Sequence, residues 1–116
     1  MTTAGARAEA LAAQYLTRQG LVIVERNFRT RFGEIDLIAR DGRSLVFVEV
    51  RLRRSKSHGG AVESITARKR ERLVAAAGGY LARLGREPPC RFDAILMTAL
   101  DPGTIEWRRD IVGVDT

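Results

Sequence analysis

Two runs of alternating residues, 33–40 and 45–53, flank Asp41-Gly42-Arg43-Ser44, and no other feature of the chain restricts its fold so much. Both runs are rich in β-branched and apolar residues and the tetrapeptide between them has turn chemistry, so the segment reads as an antiparallel hairpin. Along the first run Glu34, Asp36 and Ile38 share one face, and Ile35, Leu37 and Ala39 the other. Along the second, Leu45, Phe47, Glu49, Arg51 and Arg53 oppose Val46, Val48, Val50 and Leu52. A four-residue loop, Asp41 to Ser44, sets Asp36 opposite Glu49. A two-residue loop at Asp41-Gly42 sets Glu34 there and leaves Asp36 diagonal. Either register gathers Glu34, Asp36 and Glu49 on one face, with the Arg51 cation one step along. Like charges opposed across a strand pair are destabilising, and a divalent metal ion is the commonest reason for carboxylates to be held together.

The flanking segments supply layers for this hairpin. Ala8, Leu11, Ala12, Tyr15 and Leu16 recur at helical spacing and Gly20 supplies a stop; Glu9 falls on the flank of that stripe. Leu21 to Glu25 reads as a strand, and the polar, basic stretch Asn27 to Phe32 as a bend or exposed connection. Arg53 to Gly60 reads as a basic, glycine-ended loop containing His58, which suits a surface role. From Ser64 or Thr66, either a possible N-cap, a helix is predicted to about Leu84. Leu73, Ala76, Ala77, Tyr80, Leu81 and Leu84 form its buried stripe, and Gly78-Gly79 suggests close packing against a neighbour. Residues 91–99 form a strand, Asp101-Pro102-Gly103 a turn, and Thr104 to Arg109 a last strand. The order is α-β-β-β-α-β-β. A helix between two strands implies a parallel crossover, so the α/β sheet is expected to be mixed.

At 116 residues, 45% hydrophobic and 29% charged, the chain is expected to form one folded domain over 1–116. No apolar run approaches the roughly 20 residues that span a bilayer. Met1 to Arg7 lacks the pattern of a secretory signal, and a cytoplasmic location and no membrane partner are expected. A single cysteine, Cys90, excludes an internal disulfide, and a single histidine excludes a Cys/His zinc site. Any metal is then expected among oxygen ligands. Net charge is +6 and the pI about 10.6, which favours an anionic partner such as nucleic acid. Eighteen of the twenty basic residues are arginine, a skew that a GC-rich genome produces as readily as phosphate binding does.

Gly5-x-x-x-Glu9, Gly33-Glu34-Ile35-Asp36, Phe47-Val48-Glu49-Val50-Arg51 and Arg91-Phe92-Asp93 together resemble the bacterial YraN-like family of uncharacterised small proteins, over nearly the whole chain. That family looks like a member of the PD-(D/E)xK nuclease superfamily, with its restriction-endonuclease-like fold. In layout it is similar to the archaeal Holliday-junction resolvases, which are dimers. The resemblance implies a central mixed sheet flanked by helices, a metal-dependent DNA nuclease acting on branched or damaged structures, and a homodimer. The alternative is a nucleic-acid-binding module that kept the scaffold and lost turnover. Asp36 matches the superfamily's metal-binding aspartate and Glu49 the acid of its (D/E)xK motif. Arg51 stands at the lysine position, and Glu9 matches the first-helix glutamate of the resolvase-like branch.

Mg²⁺ or Mn²⁺ would then be held by Asp36, Glu49 and the Val50 carbonyl, with Glu9 acting directly or through water. Arginine stays protonated, so Arg51 can neutralise phosphate charge without serving as a base. Base duty falls to a water, to the phosphate, or to Lys69. Arg53, Arg54, Arg68 and Lys69 are the expected phosphate contacts. Each feature also has a plainer reading. Glu49 can pair with Arg51 or Arg53, Glu9 can be a helix-flank acid, and Asp93 an ion-pair partner of Arg91. Trp107, alternating with Ile105, reads as core, and Glu34 as a surface or supporting acid.

Overall fold

The computed structural model describes residues 3–54 and 65–112. Helix α1 spans Ala4–Arg18, with the Thr3 side chain accepting from the Ala6 N–H at its start. Strands β1 (Val22–Thr30), β2 (Gly33–Asp41) and β3 (Ser44–Leu52) follow. Helix α2 spans Ala67–Leu84, capped by Thr66 in front and by left-handed Gly85 behind. Strand β4 is Cys90–Met97; a short 3₁₀ turn at Pro102–Thr104 leads to β5, Glu106–Arg108. The sheet runs β1-β2-β3-β4-β5, antiparallel throughout except for the parallel β3–β4 pair. The expected α-β-β-β-α-β-β order and mixed sheet are both present.

Alternation along β3 divides the core into two layers. Val46, Val48 and Val50 join Leu37, Ala39, Ile95 and Met97 beneath Ala8, Ala12, Ala13 and Leu16 of α1. Leu45 and Phe47 join Phe28, Ile35 and Ile38 beneath Leu73, Ala76, Ala77 and Tyr80 of α2. Neighbours in β3 thus bury against different helices, which places α1 and α2 on opposite faces of the sheet.

Three sequence expectations need correction. The stretch from Asn27 continues as strand to Thr30, because its backbone finds a partner strand in β2. The Gly78-Gly79 pair is only half used: a Cβ on Gly79 would lie 3.3 Å from Thr30 Cγ2, while nothing lies within 4 Å of one on Gly78. Strict alternation also fails in β2, where Ile35 and Ile38, three residues apart, join the same core layer. Phe28 faces Ile35 and Glu25 faces Ile38 across the ladder, so both strands change step around Asn27 and Asp36. Asn27 has φ 53°, a left-handed conformation that asparagine tolerates better than most residues. Ser64 as an alternative cap, and the loop carrying Lys56, His58 and Gly59-Gly60, lie outside the described residues.

Candidate functional site

The β2–β3 ladder holds from Asp41↔Ser44 to Leu37↔Val48 around a two-residue turn, Gly42-Arg43. Its register is that of the four-residue-loop reading, which brings Asp36 level with Glu49. There the two strands part company. Residues 33–35 of β2 pair only with β1, and residues 49–52 of β3 only with β4. The backbone beyond the fork needs other partners, and the Val50 N–H donates to Asp36 Oδ2 at 2.8 Å. A side chain thus closes the end of the ladder, and it fixes Asp36 beside Glu49.

A cleft of about 670 Å³ opens at this fork, lined by Gly5 and Glu9 of α1, Glu34, Asp36, Glu49, Val50 and Arg51 of the hairpin, and Lys69 and Arg72 of α2. All three acids expected on one face, and Glu9 with them, line the same cavity. Arg51 Nη2 lies 2.7 Å from Glu49 Oε2, so the plainer ion-pair reading of Glu49 also holds. Arg51 Nε, however, is buried without a hydrogen-bond partner among the described residues. An orphaned guanidinium donor in a cleft is costly unless something supplies an acceptor.

Burial, reinforced by the hydrogen bond and charge of neighbouring Asp36, pushes the Glu49 carboxyl up to about 8; Arg51 and Lys69 pull the other way. Glu9 is raised by burial, then by Asp36, with an Asn27 hydrogen bond opposing. Desolvation and the nearby Arg51 and Arg53 charges lower Lys69. Glu9 and Glu49 are thus raised first by burial and then by the Asp36 charge, while Lys69 is lowered by burial and by the cations beside it.

Among the expected phosphate contacts, Arg53 and Lys69 line the cleft. Arg54 and Arg68 are exposed and lie outside its lining. Arg72, in the basic run at Arg68 to Arg72 whose position suits phosphate contacts, lines the cleft as well; Arg29 and Arg31 also line it and were not singled out by sequence reasoning, nor was Asn27. An asparagine inside an otherwise β-forming run was a usable signal for the last. Arg29 and Arg31 had none, because their place at the cleft comes from the continuation of β1. Gly33 sits so close to α2 that a Cβ there would be 2.6 Å from the Arg72 carbonyl oxygen.

Asp93 is fully buried and accepts from Arg91 Nε, Trp107 Nε1 and the Asp110 N–H, a structural role away from the cleft. Trp107 is partly buried, as the core reading expects. No described helix is long and apolar enough to cross a membrane.

The family model of an uncharacterised protein family, UPF0102, matches residues 8–97. A UPF0102 protein of Methylobacillus flagellatus is 52% identical over 110 residues, covering 95% of this chain and 96% of its own. Another, of Cupriavidus metallidurans, is 56% identical over 110 residues, covering 94% of this chain and 80% of its own. A third, of Nitrosospira multiformis, is 50% identical over 111 residues, with 96% and 93% covered.

Proposed function

This chain belongs to the uncharacterised protein family UPF0102, and from its acidic cleft we propose that it is a metal-dependent DNA nuclease of the PD-(D/E)xK kind, hydrolysing phosphodiester bonds in branched or damaged DNA. The observation that carries this reading is the fork of the hairpin, where Asp36 is pinned by the Val50 N–H beside a Glu49 whose carboxyl is held up to about 8. Structural ion pairs do not call for two adjacent acids. A hard divalent cation does, and oxygen donors are what the cleft offers.

Among the described residues, no three His, Cys, Asp or Glu side chains are grouped to hold a metal ion. Two carboxylates nevertheless suit Mg²⁺, which usually keeps several waters and takes one or two carboxylates besides phosphate oxygens. Asp36 and Glu49 would hold the ion with the Val50 carbonyl, and Glu9 would act through water from α1. When bound, the ion polarises the scissile phosphate and acidifies a water.

Glu49 must first release its proton. Arg51 has a buried Nε that can donate to a phosphate oxygen, and its fixed charge opposes the charge that develops in the transition state. Lys69, lowered from its ordinary value, is the cleft cation able to exchange a proton. Arg29, Arg53 and Arg72 at the rim attract the DNA backbone. The second reading, a binding module without turnover, rests on the engagement of Arg51 with Glu49 at the position where lysine would stand.

Junction, flap and linear DNA incubated with the protein in Mg²⁺ or Mn²⁺, beside Asp36→Ala, separate the two. Metal-dependent cleavage that Asp36→Ala abolishes is the expected result. Cleavage that survives the substitution sinks the assignment of the site, and binding without cleavage in either metal favours the second reading. Thermal stabilisation by Mn²⁺, lost in Asp36→Ala and in Glu49→Ala, identifies the ligands independently of turnover.

A further inference from the structure

The turn between β1 and β2 carries an exposed aromatic ring, Phe32, outside the cleft lining but between residues that belong to it, and it is in none of the core clusters. Phe32 is 58% exposed, the most exposed of the large hydrophobic side chains among the described residues. Its neighbours Arg29, Thr30, Arg31 and Gly33 all line the cleft. The turn is held tightly. Thr30 Oγ1 accepts from the N–H groups of Phe32 (3.1 Å) and Gly33 (3.2 Å) and donates to the Gly33 carbonyl at 3.0 Å. The strand leaving it is braced on α2 by the close approach of Gly33 to Arg72. Held in this way, the backbone of the turn has little conformational entropy left to lose on binding.

Charge and geometry select the occupant. Arg31 Cζ lies 5.1 Å from the Phe32 ring centroid, so one face of the ring is covered by a cation and its exposure belongs to the other face and the edges. A flat π surface backed by a guanidinium, with Arg29 beside it paired to Glu34 at 3.3 Å and Arg72 across the cleft, is complementary to a nucleotide whose base stacks on the ring while its phosphate meets the cations. An apolar protein partner would gain nothing from this ring of positive charge. In a continuous duplex the bases are already stacked on each other, so only an unpaired base can use the ring.

We infer that Phe32 and Arg31 form a stacking platform for an unpaired nucleobase, which gives the cleft its preference for single-stranded or locally opened DNA over continuous duplex. This rests on the proposed nucleic-acid function. It adds the feature of the substrate that the turn reads, unpaired bases next to the bond presented to Asp36 and Glu49.

Fluorescence anisotropy tests it, with a single-stranded oligonucleotide and a blunt duplex of the same sequence, in EDTA so that no strand is cut. The full chain is compared with Phe32→Ala and Phe32→Trp. A single-stranded probe carrying 2-aminopurine reports stacking directly by quenching. The wild type is expected to prefer the single strand and to quench the probe. Phe32→Ala should lose about 5- to 150-fold of single-strand affinity, the size of one base–aromatic stack, and the preference with it. Phe32→Trp should restore both, and an unchanged melting temperature for all three shows that folding is not the cause.

Equal affinity of wild type and Phe32→Ala for both probes overturns the platform and leaves the nuclease reading intact. So does a Phe32→Ala variant that alters only the oligomeric state in light scattering, since the ring would then be a contact between copies. Failure of the wild type to bind either probe overturns the nucleic-acid reading itself.

Discussion

Asp93 has no exposed surface, and its two oxygens take Arg91 Nε at 3.1 and 3.2 Å, Trp107 Nε1 at 3.0 Å and the Asp110 N–H at 3.0 Å. Arg91 also reaches Asp41 Oδ2 at 3.0 Å, so the Arg91–Asp93 pair ties β4 to the end of β2 through the arginine, and to β5 and the segment after it through the acid. Removing one member of a buried pair leaves an uncompensated charge and orphaned donors. Asp93→Ala is therefore expected to cost about 3–5 kcal/mol, read as a lower urea midpoint, with Asp93→Asn intermediate. A loss below about 1 kcal/mol would show that this network is not needed for stability. The pairing with Arg91 was readable two residues away in sequence, whereas the Trp107 and Asp110 contacts depend on β5 returning beside β4. At the cleft the same contrast appears. Asp36 and Glu49 were recognisable from face parity, but the Val50 N–H that pins Asp36 is available only because the ladder forks there.

The elements themselves follow local chemistry closely. Thr66 caps α2 by accepting from the Lys69 N–H, Gly85 closes it in the left-handed region, and Gly20 follows α1 with φ 97°. These signals are short in range, which is why both helices end close to where the sequence places them. The extent of β1 is different in kind, since a polar, basic run becomes strand only when a neighbour satisfies its backbone. Glycines make the point testable. Gly33→Ala would push a Cβ to 2.6 Å from the Arg72 backbone oxygen, so β2 must move away from α2. A loss of about 1–3 kcal/mol is expected, as for other overpacked sites. Gly78→Ala, in mid-helix with nothing within 4 Å, should instead gain up to about 1 kcal/mol. Chemical denaturation of both variants checks the pair; equal effects of one sign would contradict the close approach at Gly33.

For the molecule as a whole, the cleft trades stability for a charged centre, and pH exposes the trade. Glu49 holds its proton up to about 8 in the folded state, against about 4.3 for an unperturbed glutamate. Between those values the folded chain binds a proton that the unfolded chain has lost, so this group's contribution to stability is greatest at low pH and falls as pH rises. Glu9 shifts in the same direction. Divalent ions need the unprotonated carboxylate, so stabilisation by Mn²⁺ should grow across the same window. Melting temperatures from pH 5 to 8, in EDTA and in Mn²⁺, compare wild type with Glu49→Gln. The difference between them in EDTA should widen with pH in favour of the variant, and the variant should lose the Mn²⁺ response. A pH-independent difference would mean that Glu49 titrates as an ordinary acid. From the sequence alone came the order of elements, the turn register that levels Asp36 with Glu49 and the two buried helical stripes, because periodicity, caps and turns act over a few residues. Tertiary structure decided where the hairpin forks, that Arg29, Arg31 and Arg72 line the cleft, and that Arg51 engages Glu49 while its Nε has no partner among the described residues. Those outcomes depend on which strands and helices approach one another, and on how much water each charge loses when they do.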